Sequence, residues 1–330
     1  MKYLALALVA ASSLAAQAAD SINLGNYTVT GSYALDVLNG TGGGISGLEA
    51  SAVAYAADRG TLFFVGDEGT GVVEISRTGQ TLGSMSFDWT GTGSTKHDTE
   101  GLTYLGGGVL VVTEERLYDA YRFNYVAGGT ARLADSFVSI SNANVGNNGL
   151  EGISYDPRRG GSYVTIKQDL PQDILVGTLT FAGGAGGTAT MTQPFAASSL
   201  GLTTLSDVQT LSPVAALAGT AAADNLLVLS LGSNKLVEVT RAGELKSSFD
   251  LAGVAPGNAI EGVTVDDQGV IFLVAEQDGS LDPHSRLIVM SAPVPEPESY
   301  AMMLAGLGLL AVAARRKQRR RTPAATWAQK

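Results

Sequence analysis

The chain has 330 residues, 45% of them hydrophobic, with 42 glycines, no cysteine and a formal net charge of −10. The acidic balance argues against a nucleic-acid partner, which needs a basic surface. The lack of cysteine excludes a disulfide scaffold and any thiolate metal site.

Met1-Lys2, the apolar run Leu4–Ala10 and Ala16-Gln17-Ala18 follow the order of a secretory leader: a charged start, an apolar middle and an A-x-A cleavage site. Residues 1–18 are therefore predicted to be a signal peptide, with the mature chain beginning near Ala19. Next comes a stretch with strand character, Asn23–Leu38, which has no repeat of its own.

A repeat then begins. Ser51-Ala52-Val53-Ala54-Tyr55 is followed by Glu100-Gly101-Leu102-Thr103-Tyr104 and Glu151-Gly152-Ile153-Ser154-Tyr155. Asp207-Val208-Gln209-Thr210-Leu211 is a weaker copy, and Glu261-Gly262-Val263-Thr264-Val265 is the last. The intervals are 49, 51, 56 and 54 residues. Short β-rich runs and Gly-rich turns at such a period predict an all-β fold, a β-propeller with one sheet per repeat. Blade one reads as strands at 52–56, 61–65, 71–76 and 81–87. Blade two runs from Gly101 to about Ile140 and blade three from Gly152 to about Pro194. Blade four carries an Ala-rich insertion, Ser212–Asn225, a surface loop or a short helix. Blade five runs from Gly262 to about Ala292 and lacks a fourth strand. The N-terminal strand is expected to complete it and close the ring. Five blades are favoured; six stay open if residues 20–48 and the insertion build another sheet. The propeller domain is placed at 19–293.

The far end reads Val294-Pro295-Glu296-Pro297-Glu298-Ser299, a 15-residue apolar run from Tyr300 to Ala314, then Arg315-Arg316-Lys317 and Arg319-Arg320-Arg321. The apolar run is short for a full span, which takes about 20 residues. This tail, 294–330, resembles the PEP-CTERM sorting signal. The resemblance implies export in a Gram-negative bacterium, transient anchoring in the inner membrane by the short transmembrane helix, and an exosortase-type processing enzyme cutting near Pro295–Pro297. A permanent tail anchor is the alternative. Without both ends the domain carries roughly −17, which suits a cation-binding or strongly solvated exported protein in the periplasm, on the cell surface or in the extracellular matrix.

Radial repetition brings equivalent positions together. The lead positions gather Glu100, Glu151, Asp207 and Glu261 at one mouth. A second set falls at the end of each second strand: Glu68, Glu115, Gln168 and Glu276, with about Gly232 in blade four. An antiparallel hairpin places both sets at the same end, with Glu49 and Asp98 near the rim. Crowded carboxylates must take up protons or a cation. An all-oxygen set favours a hard ion, calcium over zinc. The structural alternative is a solvated ring whose carboxylates accept backbone N–H bonds from neighbouring blades.

The repeats, with second strands ending in acidic pairs (Phe63-Phe64-Val65-Gly66-Asp67-Glu68; Val111-Val112-Thr113-Glu114-Glu115), resemble the SdiA-regulated family over about residues 45–292. The resemblance implies a five-bladed propeller with a calcium site and no established reaction. Ser51 and the fourth repeat depart from the pattern, which puts ligands from those blades in doubt.

Two functions follow. The first is a calcium-binding exported module that binds or scaffolds envelope components or extracellular polysaccharide. The second is a metal-dependent hydrolase of the phytase-like esterase or lactonase type. Lys167 is the one base adjacent to the mouth positions, and His97 and His284 sit in loops. No nucleophile motif such as G-x-S-x-G is present. A lectin would want exposed aromatics, and Tyr118, Tyr121 and Tyr125 are the candidates, read as packing.

Overall fold

The computed structural model describes residues 20–35, 45, 49–141, 146–169, 171–277, 282, 284–293, 306–308 and 310. Two compact units divide the chain, Met1–Ala292 and Pro293–Lys330. The predicted leader, the Pro-Glu-Pro motif and the predicted cleavage site lie outside the described residues. In the second unit residues 306–308 and 310 are helical. Among the described residues no helix is long and apolar enough to cross a membrane.

The first unit is a five-bladed β-propeller. Strand β1 (Thr28–Ala34) belongs to the last blade. Blade one is β2 (Ala50–Ala56), β3 (Thr61–Gly66), β4 (Gly71–Ile75) and β5 (Thr81–Asp88). Blade two is β6 (Thr99–Gly106), β7 (Val109–Glu114), β8 (Asp119–Asn124) and the short outer β10 (Phe137–Ser139). Between its last two strands the chain detours to blade one, where β9 (Thr130–Arg132) pairs in parallel with β5. Blade three is β11 (Leu150–Asp156), β12 (Ser162–Lys167), β13 (Asp173–Thr180) and β14 (Thr188–Thr192). Blade four is β15 (Asp207–Thr210), β16 (Leu226–Ser230), β17 (Lys235–Val239) and β18 (Leu245–Asp250). Blade five is β19 (Ile260–Val265), β20 (Ile271–Ala275), β21 (Arg286–Ser291) and, on the outside, β1.

The closure read from the sequence is thus present: β1 runs antiparallel to β21, from Thr28 opposite Ser291 to Ala34 opposite Arg286. The N-terminal segment does more than fill an edge. The backbone N–H of Ile22 donates to the buried Glu238 carboxylate at 3.0 Å, and that of Leu24 to Ser247 Oγ at 2.9 Å. Leu24 is fully buried in the blade-four and blade-five core. Residues 20–27 therefore strap blade four to blade five. The insertion at Ser212–Asn225 is neither a free loop nor an α-helix. It folds as two 3₁₀ turns, Ala215–Leu217 and Ala221–Asp224, with Leu217, Ala222 and Ala223 buried.

Inner strands are buried almost throughout, whereas outer strands such as β14 alternate exposed and half-buried positions. The inner strands adjoin in the order β2, β6, β11, β15, β19 and back to β2. The repeat explains how they pack so closely. A Cβ on Gly152 would come within 2.7 Å of Asp207 Cα, and one on Gly262 within 2.8 Å of Ala52 Cα. The fourth repeat position supplies hydroxyls that staple neighbouring strands. Thr103 Oγ1 accepts from Tyr155 N at 3.0 Å, Ser154 Oγ from Thr210 N at 3.0 Å, and Thr264 Oγ1 from Tyr55 N at 3.1 Å. Blade one has Ala54 there and no staple.

Candidate functional site

Every lead residue sits at the start of an inner strand, beside the end of its second strand. In blades one, two, three and five the pairing register slips at that point, between Ala50 and Ala52, Thr99 and Leu102, Leu150 and Ile153, and Ile260 and Gly262. A bulge bends the strand and re-aims a side chain. Blade four has no slip: Asp207 pairs regularly with Leu229.

The carboxylates of Asp67, Asp98 and Glu100 bring oxygens within 4.8 Å of one another, and so do those of Glu49, Asp67 and Glu68. Glu100 interacts with Glu151, Glu261 and Glu115, and Glu261 with Glu276 and Glu49. Glu115 and Glu151 lie at hydrogen-bonding distance, carboxylate to carboxylate. The array thus draws on blades one, two, three and five. Gly149 N donates to Glu115 Oε1 at 3.1 Å. Glu115 is 2% exposed, and its Oε2 is buried without a hydrogen-bond partner, as is Asp67 Oδ1.

Burial raises the proton affinity of these groups, and their neighbours' charges add to it. Asp67 and Glu261 are pushed up to about 8, and Glu115 to about 7. Burial also raises Glu100 and Glu151, with the adjacent carboxylates reinforcing the effect. Arg116 adjoins the array, its Nε donating to Asp98 Oδ2 at 2.6 Å. The Lys167 ammonium is held by the carbonyls of Asp169 and Pro171 and also feels the charge of Glu115.

Asp207 stands apart. Its two oxygens accept from Val208 N at 2.7 Å and Val263 N at 2.8 Å, tying blade four to blade five. Burial raises its proton affinity while these two donors lower it. Blade four brings no carboxylate to the array, because the Gly232 position has no side chain and its N–H donates to Thr204 Oγ1. Gln168 joins through its backbone, with N donating to Gly149 O at 3.1 Å. Ser51 is buried and donates to Glu49 O, so blade one acts through Glu49, Asp67 and Glu68.

Sequence reasoning missed Asp67 and Arg116. Asp67 was legible as half of an acidic pair. In blade two the corresponding Glu114 turns outward to Ser94 Oγ and Leu117 N, both at 2.7 Å. Of the histidines, His284 lies 3.4 Å from Asp282. His97 stacks on Trp89, with ring centroids 5.0 Å apart, and both line an open cavity of about 960 Å³ beside Glu68. The three candidate tyrosines belong to the packing. Tyr121 is fully buried, Tyr118 is 4% exposed, and Tyr125 meets Phe63 edge-on at 4.7 Å.

The donor set is oxygen-only, bears several charges and has two unsatisfied buried oxygens. It fits a hard divalent cation of the calcium type, which takes six to eight oxygens. Asp67, Asp98 and Glu100, or Glu49, Asp67 and Glu68, are the residues whose oxygens lie close enough together to hold one.

The chain belongs to the SdiA-regulated family, which it matches over residues 30–278. Residues 293–320 match the PEP-CTERM protein-sorting motif, which marks an exported protein. Among solved structures it is similar to the glutaminyl cyclase of Myxococcus xanthus, with a TM-score of 0.50 and 12% identity over 82% of this chain and 97% of that one. It is also similar to a luciferin-regenerating enzyme (TM-score 0.43, 11% identity, 74% and 91% covered) and to virginiamycin B lyase from Staphylococcus aureus (0.38, 12%, 73% and 66%). At 12% identity the first likeness speaks for the propeller fold alone, and no argument rests on the other two.

Proposed function

We propose that this protein is an exported, calcium-binding propeller that serves as a binding or scaffold module in the cell envelope or extracellular matrix. The observation that carries this reading is the mutual interaction of buried carboxylates from four blades, with Glu115 Oε2 and Asp67 Oδ1 buried without a hydrogen-bond donor. So many acids facing so few bases need a cation or several protons. The bound ion would supply charge compensation and cross-link the blades at the axis. The PEP-CTERM tail supports processing by an exosortase-type enzyme and final placement at the surface or in the matrix.

A cation that binds only the folded state raises stability by mass action, about 2.7 kcal/mol at a hundredfold excess over its dissociation constant. Thermal melts of the exported chain in EDTA and in calcium test the idea, with magnesium as a control. A higher midpoint in calcium is expected. Superimposable melts at neutral pH would sink it.

A second reading, a metal-dependent hydrolase, is favoured by one observation: the open cavity beside Glu68, with His97 stacked on Trp89. Calcium-dependent turnover of lactone or phosphate-ester substrates, lost in His97→Ala, would support it. Absence of turnover with calcium bound leaves the binding module.

A further inference from the structure

A second cavity opens at the other end of the axis. The fifth repeat position, four residues beyond each lead residue, is Tyr55, Tyr104 and Tyr155 in blades one to three. At about 3.3 Å per residue this places the rings roughly 13 Å from the acidic array. The three tyrosines converge on a cavity of about 470 Å³ that also takes in Pro157, Pro213 and Asp58. A smaller cavity of about 40 Å³ shares the same three rings and is lined by Thr103 and Thr264 of the hydroxyl layer that staples the inner strands.

Each ring is fixed from behind. Tyr104 stacks on Phe63 with centroids 5.8 Å apart, and Tyr155 packs against Tyr163 at 5.2 Å. The Arg77 guanidinium lies 5.9 Å from the Tyr55 ring centroid, so that ring already supports a cation on one side. The phenol groups are committed as well. Tyr55 donates to Asp267 Oδ1 at 3.2 Å. Tyr104 accepts from Gly108 N at 2.7 Å and bonds the Asp58 carboxylate. Asp58 also accepts from Gly107 N at 2.9 Å.

A saccharide needs a set of free donors and acceptors, and two of the three phenols are spent on the protein itself. What the cavity offers is aromatic surface, two prolines and a carboxylate at the rim. Among the described residues no lysine or arginine lines it. Neighbouring bases are engaged elsewhere: Arg59 forks onto Glu74 through two bonds of 2.8 Å, and Arg158 pairs with Asp156 and Asp224. Aromatic rings attract cations through their negative faces, and a nearby carboxylate strengthens that selectivity. A bulky, weakly hydrated cation gains most, because its alkyl groups fill apolar space.

We propose that this cavity binds a small organic cation, a quaternary or methylated ammonium group, between Tyr55, Tyr104 and Tyr155 with Asp58 at the rim. The site is independent of the acidic array and of whatever ion that array holds.

Choline is the probe, titrated calorimetrically into the exported chain, with its neutral isostere 3,3-dimethylbutan-1-ol alongside. Saturable choline binding is expected, equal in calcium and in EDTA, with the isostere at least about tenfold weaker. Tyr155→Leu should weaken choline about tenfold, Asp58→Asn about threefold, and Tyr155→Phe should retain binding, since the ring and not the hydroxyl is used. Unchanged circular dichroism melts identify variants that are folded. Equal binding of the neutral isostere would overturn the proposal by making the cavity merely apolar. Choline binding that survives Tyr155→Leu, or that calcium abolishes, would place the cation in the acidic array and overturn it too. Binding of glucose oligomers with no choline binding would make it a saccharide site instead.

Discussion

Blades three and four carry the same repeat, yet their lead carboxylates have opposite fates. Glu151 sits on a bulge, meets Glu115 carboxylate to carboxylate, and is pushed towards protonation by burial and by its neighbours. Asp207, one repeat later, sits on a regular pair and is closed by two backbone N–H groups. The first is an unsettled charge that invites a cation. The second is raised by burial as well, but its two oxygens are already taken by backbone donors, and it holds two blades together. A carboxylate at a propeller mouth is therefore not in itself a ligand; the backbone register decides what it faces.

The largest effect is expected at Asp207. Asp207→Ala leaves Val208 N and Val263 N buried without an acceptor, which should cost about 3 kcal/mol in urea unfolding. The loss should be the same with EDTA and with calcium. A calcium-dependent loss would mean that Asp207 is a ligand after all. Glu151→Gln should do the reverse: little change or a small gain in EDTA, and loss of most of the calcium increment of about 2.7 kcal/mol at a hundredfold excess. An increment untouched by Glu151→Gln and Glu261→Gln together would remove the array as the calcium site.

How much of this contrast was legible in the sequence follows from the same two residues. The period, the five blades, the closing strand and the acidic mouth are set by residue type and spacing, and these show in the chain. The bulge is a matter of register. Its signal was present but indirect: glycine follows Glu100, Glu151 and Glu261, whereas Val208 follows Asp207. Blade one slips too, with Ala52 at that place, so the glycine marks close strand approach as much as the bulge. Asp67 was hidden for another reason. Two successive acids at a strand end point to different sides, and counting along the chain does not tell which one faces the axis. Strapping of blade four was hidden by distance along the chain: the Ser21 hydroxyl and the Ile22 N–H reach Glu238 across more than 200 residues, and neither residue type announces such a contact.

The contrast also has a pH signature. Asp67 and Glu261, at about 8, and Glu115, at about 7, bind protons more tightly in the fold than in the unfolded chain, where carboxyls titrate near 4. Their stabilising contribution is complete below about pH 4 and is lost as pH rises through 8. In EDTA, the slope from these groups should reach about 1.4 kcal/mol per pH unit for each proton released. Melts at pH 6 and pH 9 should thus separate in EDTA, with the lower midpoint at pH 9. Calcium should close the gap if it binds the ionised array as proposed. Asp207→Ala should leave the contribution of these three groups in place while removing its own, since burial raises Asp207 as well. A midpoint in EDTA that rises from pH 6 to pH 9 would contradict the coupling among these carboxylates.

The smallest effect lies three residues along each strand, where the two blades behave alike. Ser154 Oγ accepts from Thr210 N at 3.0 Å, joining β11 to β15 beneath both lead residues. Thr210 Oγ1 returns a bond to Tyr155 O at 3.2 Å. Ser154→Ala removes one acceptor from a buried N–H and should cost about 1 kcal/mol. It touches no carboxylate, so the calcium increment and the pH slope should both survive intact. Ala54→Ser runs the test in the opposite direction, placing a hydroxyl at the one inner strand that lacks it. Ala54 is 4% exposed, so the new hydroxyl is stabilising only if it finds the neighbouring strand. A gain of up to about 1 kcal/mol is expected if it bonds the backbone of β6 as Ser154 bonds β15. If Ser154→Ala instead abolished the calcium increment, stapling and ion binding would be one cooperative unit, and the division between a settled and an unsettled carboxylate would have to be drawn across strands rather than between blades.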